Sequence, residues 1–495
     1  MLKSRTTLGV LVVALAAATV FALQSQSTGG LDYPKTRKVD QVDDYHGTKV
    51  ADPYRWLEDL DSEETAAWVK AQNKVTFGYL ATIPAREKIQ ARLTKLWDYE
   101  KYGIPRQKGG RYFFSKNDGL QNQSVIYTAD TLDAQPRVLL DPNKLSADGT
   151  VALSSYAITD DGKLMAYGIS ESGSDWRDFK VRDVATGKDL PDHLKWVKFS
   201  GASWTKDGKG FYYSRYDEPK DGNPLSASNF YQKLFYHRLG TTQSDDELIY
   251  QRSDKKDWGF GGSVTEDGRY LIISVRKGTE RKNRVYYQDL QSEGREVVKL
   301  LDDFDAQYTF IGNDGPLFWF NTNLDAPRGR VIAIDIANPA RENWKEIIAQ
   351  RDEALRGVSL VNDTFIASYL KDAKSLIKLY DLGGKHVRDI ELPGQGTAAG
   401  FGGQRKDTET FYSYNSFSLP PTIYRYNLTT GKSTVFKRPQ VEFHPDDYET
   451  KQVFYASKDG TQVPMFITHK KGITLDGNNP TYLYGYAGFN IPLTP

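Results

Sequence analysis

A short unit recurs seven times between residues 108 and 412. In its clearer copies an Asp-Gly turn is followed at once by a strand rich in Tyr, Phe and Ile. The seven copies are Lys108–Phe114, Asp161–Tyr167, Asp207–Tyr213, Asp267–Ile273, Asp314–Phe320, Asn362–Ser368 and Lys406–Tyr412. Their spacing of roughly 45 to 60 residues suits one four-stranded blade per copy. The sequence therefore predicts a mainly β protein with a seven-bladed β-propeller.

The alternative for this region is an array of two-sheet sandwiches with unrelated hairpins. A single Asp-Gly turn does not separate the two folds, because it is among the commonest hairpin signals. Near-regular spacing favours the propeller. A closed ring also leaves only short, protected sheet edges, so a long all-β region can avoid edge-to-edge association.

The periodicity differs on both sides of the repeats and predicts three folded segments. Apolar residues recur at helical spacing behind a capping pattern at Asp61–Glu64, so residues 28–98 are predicted to be mainly helical. We assign residues 99–440 to the propeller. The remaining segment, residues 441–495, begins a different pattern.

That last segment predicts a hairpin followed by one more strand. The hairpin strands lie on either side of Asp459-Gly460, and the further strand is predicted at Tyr482–Tyr486, just before a glycine loop. A hairpin and a strand ending in such a loop are typical of the start of an α/β-hydrolase sheet. We therefore expect residues 441–495 to be the start of an α/β-hydrolase domain that the sequence leaves truncated.

Composition restricts the other possibilities. The chain has 65 basic and 64 acidic residues, so no overall field would attract nucleic acid or an anionic membrane. Residues 1–27 have a basic start and an apolar stretch from Leu8 to Leu23, which predicts a secretory signal peptide, with an uncleaved anchor as the alternative. The chain has no cysteine, which excludes disulfides, thiol catalysis and cysteine metal sites.

Several motifs resemble the prolyl oligopeptidase family of serine peptidases, from about residue 32 to the last residue. The motifs are Asp52-Pro-Tyr-Arg-Trp-Leu-Glu58, Asp61-Ser-Glu63, Ser172-Gly-Ser-Asp-Trp176, Val197-Lys-Phe-Ser200, Ser457-Lys-Asp-Gly460, Pro464-Met-Phe-Ile467 and Tyr484-Gly-Tyr-Ala-Gly-Phe-Asn490. The resemblance implies a seven-bladed propeller that caps an α/β-hydrolase domain. It also implies cleavage of short peptides after proline, through an acyl-enzyme.

Three residues take candidate roles from the resemblance. Tyr486 matches a tyrosine whose hydroxyl helps to hold the oxyanion of the tetrahedral intermediate. Phe489 matches the wall of the pocket for the proline ring, and Phe199 matches a residue of a more distal substrate subsite. The alternative for each is a core aromatic residue, and Ala487 departs from the glycine that the family commonly has.

The catalytic triad of the family is absent from these 495 residues. No Gly-x-Ser-x-Gly elbow occurs, and the six histidines all precede the place where the nucleophile is expected. We interpret those histidines as surface or structural residues. No metal-ligand motif is present, and we expect no cofactor.

Two functions remain open at this stage. The first is the N-terminal portion of a secreted prolyl oligopeptidase-like endopeptidase, periplasmic or extracellular, that is inactive as this chain alone. The alternative is a non-catalytic propeller protein that binds peptides. The expected partners are short proline-containing peptides, without nucleic acid or stable membrane contact after signal cleavage, and the completed protein is expected to be a monomer.

Overall fold

The computed structural model describes residues 30–219, 228–486, 488–489 and 491–495. The predicted signal peptide, residues 1–27, lies outside the described residues. The chain divides into two compact units between Lys95 and Leu96. No helix in the described ranges is long and apolar enough to cross a membrane.

The first unit combines a small hairpin with helices. Its strands and helices are β1 (Val42–Tyr45), β2 (Thr48–Ala51), α1 (Glu63–Ala81) and α2 (Arg86–Trp97), the last of which continues into the second unit. Helix α1 begins within the predicted capping pattern, but its N-cap is Ser62 and not Asp61, because the Ser62 hydroxyl accepts a hydrogen bond from the Thr65 amide at 3.1 Å.

The second unit is built from antiparallel sheets. The first sheet contains β3 (Lys101–Tyr102), β4 (Arg106–Lys108), β5 (Arg111–Asn117), β6 (Val125–Ala129) and β7 (Arg137–Leu140). The next contains β8 (Val151–Ile158), β9 (Leu164–Glu171), β10 (Arg177–Asp183), β11 (Asp189–Val197), β12 (Ser203–Trp204), β13 (Gly210–Arg215), β14 (Lys233–Arg238) and β15 (Glu247–Tyr250).

Four sheets of four strands follow in chain order. The first two contain β16 (Trp258–Val264), β17 (Tyr270–Lys277), β18 (Arg284–Asp289), β19 (Val297–Leu301), and then β20 (Tyr308–Asp314), β21 (Leu317–Thr322), β22 (Arg330–Asp335), β23 (Lys345–Ile348). The last two contain β24 (Ala354–Val361), β25 (Thr364–Lys371), β26 (Lys374–Asp381), β27 (His386–Ile390), and then β28 (Thr397–Gly402), β29 (Glu409–Asn415), β30 (Thr422–Asn427), β31 (Lys432–Lys437).

The propeller prediction is confirmed, but the predicted number of separate blades is wrong. The described chain has five separate blade sheets, not seven, and one eight-stranded sheet formed by β8 to β15. That sheet is continuous because β11 and β13 pair at Val197 and Arg215. A hydrogen bond between neighbouring sheets leaves no mark on the spacing of the repeats, so the sequence could not reveal it.

Threonine side chains fix the Asp-Gly turns of the repeats. The hydroxyl of Thr205 donates to the Asp207 carboxylate at 2.7 Å, and Thr265 makes the same contact with Asp267 at 2.5 Å. The glycine that follows, such as Gly268 at φ +75°, takes a left-handed conformation that side chains disfavour. Local chemistry therefore explains why these units could be predicted.

Both faces of a blade sheet are covered by neighbouring sheets. On β21, Phe318 and Phe320 pack with Tyr270 of the preceding sheet, whereas Trp319 between them packs with Phe365 of the following sheet. Successive side chains of a strand point to opposite faces, so three consecutive aromatic residues can all be buried. The core therefore lies between the sheets.

The sheets form a ring around a lumen. The first strands of consecutive sheets contact one another, for example β20 with β24 and β24 with β28. The first and last sheets meet where the Tyr112 hydroxyl donates to Glu409 at 3.3 Å. The ring has two ends. At the turn end, a turn joins the first and second strands of each sheet. At the opposite end, which we call the link end, the chain passes from one sheet to the next.

The C-terminal segment forms the predicted hairpin but not the predicted third strand. Strands β32 (Tyr448–Ala456) and β33 (Gln462–Lys470) pair along their whole length. Residues 482–486 are not in a strand, and Tyr482 and Leu483 are 87% and 83% exposed. A strand needs a neighbour for its main-chain hydrogen bonds, and no described strand lies beside this segment.

Candidate functional site

Phe199 lies at the link end, in the connection between β11 and β12. Its φ of +56° is unfavourable for a bulky residue, so other groups must hold it in place. The side-chain amide of Gln232 donates to the Lys198 carbonyl at 2.8 Å, and the Arg276 guanidinium donates to the Phe199 carbonyl at 3.1 Å. The ring of Phe199 is left 47% exposed and available for contact.

Aromatic rings and one cation surround this position. The Trp176 ring stands edge-on to Trp196 at 5.6 Å and to Tyr216 at 5.9 Å between centroids. The Lys198 ammonium lies 5.0 Å from the centroid of Trp176 and 5.3 Å from that of Phe199. Such contacts stabilise a desolvated cation. They place the positive charge of Lys198 against the aromatic rings of the site.

Phe489 is the most exposed of the three predicted site residues. Its side chain is 81% exposed and its φ is +55°. The guanidinium of Arg281 donates to the Phe489 carbonyl at 2.5 Å. The predicted departure from the family, Ala487, lies outside the described residues, as does Asn490.

Tyr486 precedes Phe489 in the same loop and is 49% exposed. A β carbon at Gly488 would lie 3.4 Å from the Tyr486 ring, an ordinary contact distance, so the ring lies over this glycine. The Tyr486 hydroxyl makes no hydrogen bond to any described residue.

Two arginines of one blade contact the two phenylalanine positions. Arg276 lies near the end of β17, and Arg281 lies in the loop between β17 and β18. Each donates to the main-chain carbonyl of one phenylalanine. The structure therefore brings Phe199 and Phe489 to the same end of the ring. The sequence analysis missed both arginines and Gln232, because donation to a distant carbonyl leaves no sequence motif.

A cavity of about 990 Å³ lies elsewhere, in the lumen between the first two and the last sheets. Residues that line it include Arg106, Tyr112, Tyr156, Glu409 and Phe411, but not Phe199, Tyr486 or Phe489. Burial raises the pKa of the Tyr112 and Tyr156 hydroxyls, so both stay protonated donors near neutral pH. The lumen thus has polar and aromatic walls that could contact a peptide.

The histidines do not form a catalytic site in the described residues. His237 is fully buried, with Nδ1 2.7 Å from Asp246 and Nε2 3.0 Å from Asp192. Burial lowers its pKa, but the hydrogen bonds and charges of the two carboxylates outweigh burial and raise the pKa above its ordinary value. With both ring nitrogens occupied, this histidine cannot activate a nucleophile.

No group of three or more metal-ligating side chains occurs among the residues that the structure describes.

Comparisons with known proteins agree on one family. Residues 34–439 match the family described as "Prolyl oligopeptidase, N-terminal beta-propeller domain". The prolyl endopeptidase of Elizabethkingia meningoseptica is 45% identical over 485 residues, which cover 98% of this chain and 68% of that protein. Prolyl oligopeptidase A of Amanita bisporigera is 36% identical over 94% of this chain and 66% of that protein.

Solved structures give the same result. A prolyl endopeptidase superposes with a TM-score of 0.86 at 36% identity, covering 93% of this chain and 68% of that chain. Prolyl oligopeptidase B from Galerina marginata, bound to a 35mer hydrolysis and macrocyclization substrate, superposes with a TM-score of 0.82 at 33% identity. That match covers 90% of this chain and 66% of the other.

Proposed function

Because the chain belongs to the prolyl oligopeptidase family, we propose that it supplies the propeller and part of the substrate pocket of a serine endopeptidase that cleaves short peptides after proline. The observation that carries this proposal is the pairing of Arg276 with Phe199 and of Arg281 with Phe489. It holds two candidate pocket residues at one end of the ring.

In the proposed reaction, Phe489 packs against the proline ring and Phe199 contacts a residue further from the cleaved bond. The Tyr486 hydroxyl donates to the carbonyl oxygen as it becomes an oxyanion. A donor aimed at this developing charge contributes about 3 kcal/mol to transition-state stabilisation. The Tyr486 side chain is half-exposed, which is compatible with that role.

The acyl-transfer step requires a serine on a Gly-x-Ser-x-Gly elbow, a motif that these 495 residues do not contain. A serine must attack the carbonyl carbon while a histidine accepts its proton and an acid orients the histidine. We propose that residues 441–495 begin the α/β-hydrolase domain and that this triad belongs to the remainder of that domain. We further propose export to the periplasm or the exterior, from the signal pattern of residues 1–27.

The experiment is a peptidase assay with a Gly-Pro reporter, first on the chain alone and then on a chimera. The chimera joins the chain to the C-terminal part of the Elizabethkingia meningoseptica prolyl endopeptidase that lies beyond the aligned 68%. We expect no turnover by the chain alone and turnover by the chimera. Sustained turnover by the pure chain would contradict the absence of a nucleophile.

Variants of the chimera test the named residues. Tyr486→Phe should lower kcat with little change in KM, because the hydroxyl acts in the transition state. Phe489→Ala should raise KM for the proline reporter. Phe417→Ala, which alters another half-exposed aromatic residue, is the matched control and should change neither.

The second candidate, a non-catalytic peptide-binding propeller, is supported by the lumen cavity, which exists without the triad. It predicts that the chain alone binds a proline-containing peptide in calorimetry and that the chimera stays inactive. Binding together with an active chimera would favour the peptidase.

A further inference from the structure

Two residues with exposed aromatic rings come just before β14. Phe230 and Tyr231 are 41% and 46% exposed. Lys233, the first residue of β14, pairs with Arg215, the last residue of β13. Because β13 begins at one of the repeated Asp-Gly turns, its last residue and these two rings lie at the link end.

The backbone of Tyr231 is held in a conformation that bulky residues rarely take. Its φ is +61°, in the left-handed region. The Tyr231 amide donates to the Lys256 carbonyl at 2.7 Å, and the Lys256 ammonium lies 4.7 Å from the centroid of the Phe230 ring. One lysine of the connection between β15 and β16 therefore holds both aromatic residues. A strained residue whose ring is exposed indicates a role in binding.

The side chain of Gln232 joins this aromatic pair to Phe199. Gln232 is buried, at 1% exposure. Its amide nitrogen donates to the Lys198 carbonyl at 2.8 Å, and its amide oxygen accepts from the main-chain amide of Phe260 at 2.7 Å. Tyr231 directly precedes Gln232, and Phe199 directly follows Lys198. A single buried amide thus ties together the neighbours of two exposed rings.

Tyr231 and Phe199 share the same combination of features. Both are aromatic, both have a left-handed φ, and both rings are about half exposed at the link end. An extended peptide advances about 3.3 Å per residue, so a peptide that lies against Phe199 reaches the Tyr231 ring within a few residues. In the proposed function Phe489 holds the proline, and residues beyond Phe199 are those nearer the N-terminus of the peptide.

We propose that Tyr231, together with Phe230, forms a further substrate subsite beside Phe199. Resting on the proposed function for the role of Phe199, this subsite takes an aromatic residue on the N-terminal side of the one that contacts Phe199. Contact between aromatic rings should raise affinity about two- to tenfold over glycine at the same position.

A scan of peptides on the full 495-residue chain tests this subsite without requiring cleavage. Each dye-labelled peptide ends in Gly-Pro after a run of glycines, and a single phenylalanine is moved through successive positions of that run. Fluorescence anisotropy gives each affinity relative to the peptide without phenylalanine. We expect one gain in affinity nearer the proline, which Phe199→Ala abolishes, and a second gain farther from it, which Tyr231→Ala abolishes.

Two further variants separate binding from folding. Tyr231→Phe keeps the ring and should keep the second gain. Tyr231→Asn removes the ring, but asparagine takes a left-handed conformation more readily, so the gain should be lost without a fall in Tm. Phe417→Ala is the matched control, because it removes a half-exposed aromatic ring from the loop between β29 and β30, and it should change neither gain.

Several results would overturn the subsite. One is a second gain that survives Tyr231→Ala, and another is a gain that Tyr231→Asn removes only together with a fall in Tm. Absence of the second gain from the wild-type chain would also overturn it. The chimera assay tests the proposed function separately, so an active chimera with no second gain would reject this subsite alone.

Discussion

The guanidinium of Arg281 donates a 2.5 Å hydrogen bond to the carbonyl oxygen of Phe489, although 208 residues separate the two. Five positions earlier, Arg276 makes the equivalent contact with the Phe199 carbonyl at 3.1 Å. One edge of a single blade thus holds main chain from a propeller connection and from the C-terminal segment. Each contact can be removed without touching the other.

We therefore predict that each arginine variant loosens only its own partner segment. A hydrogen bond of this kind contributes about 1 kcal/mol, so amide exchange should rise about fivefold where it is lost. Arg281→Ala should raise exchange at residues 488–493 and Arg276→Ala at residues 199–202, measured by hydrogen exchange and mass spectrometry. Arg281→Lys keeps a donor and should have a smaller effect; equal exchange changes in both segments would contradict independent contacts.

The His237 site predicts a specific pH dependence of stability. Its pKa in the folded protein is raised above the ordinary 6.5, so the stabilisation is complete below about pH 6.5 and is lost as pH rises through the folded value. We therefore expect the Tm to fall as the pH rises through the folded-state pKa of His237. The measurement is thermal unfolding by circular dichroism from about pH 6 to about pH 9, a range that starts just below the ordinary histidine pKa and ends about 2.5 units above it.

His237→Gln provides the variant for that measurement. It removes the titrating group and should lower the free energy of unfolding by about 3 kcal/mol or more, because two buried carboxylates lose their cation. The slope of Tm against pH should flatten. His444→Gln, at an exposed histidine, should keep the wild-type slope, and a flat wild-type profile would refute the prediction.

Two adjacent glycines predict unequal costs for the same substitution. Gly109 and Gly110 have φ values of +55° and +76°, but only at Gly109 would a β carbon meet main-chain atoms, at 1.9 Å. Gly110→Ala should cost about 1 kcal/mol from conformation alone. Gly109→Ala should cost roughly 2 kcal/mol more, because the turns of two sheets must move apart. Urea unfolding measures both, and equal costs would contradict the close contact.

Exposed apolar residues near the C-terminus predict association of the chain. Tyr482, Leu483 and Tyr484 are 87%, 83% and 63% exposed in sequence order, an apolar patch of the kind that favours association. Sedimentation velocity should show species that grow with protein concentration. The double variant Tyr482→Ser with Leu483→Ser should reduce them, whereas Val298→Ser should not; a monodisperse wild-type chain would contradict this.

Turn chemistry made the propeller predictable, whereas contacts between distant segments did not. Asp207, Asp267 and their neighbours carry their signal within a few residues, so repeats could be counted along the chain. The pairing of Val197 with Arg215 joins two four-stranded sets and depends on how they meet in space. The seven predicted units therefore correspond to fewer separate sheets.

In the candidate site, too, the residues with a local motif were predicted and those that make only distant contacts were not. Phe199, Tyr486 and Phe489 were identified from motifs, and their roles remain predictions. Arg276 and Arg281 bind main-chain carbonyls, which every residue has, so no sequence pattern distinguishes these partners. The predicted strand at 482–486 failed because a strand is defined by a neighbour as well as by its own residues.

The alternation of Phe318, Trp319 and Phe320 between two neighbouring sheets has a thermodynamic consequence. Each blade completes its core only when both neighbours are folded, and the contacts of Tyr112 with Glu409 and Phe411 join the first blade to the last. A linear repeat array frays from its ends and needs capping repeats. This ring has no terminal repeat from which fraying could start, so its blades should melt together in one cooperative transition.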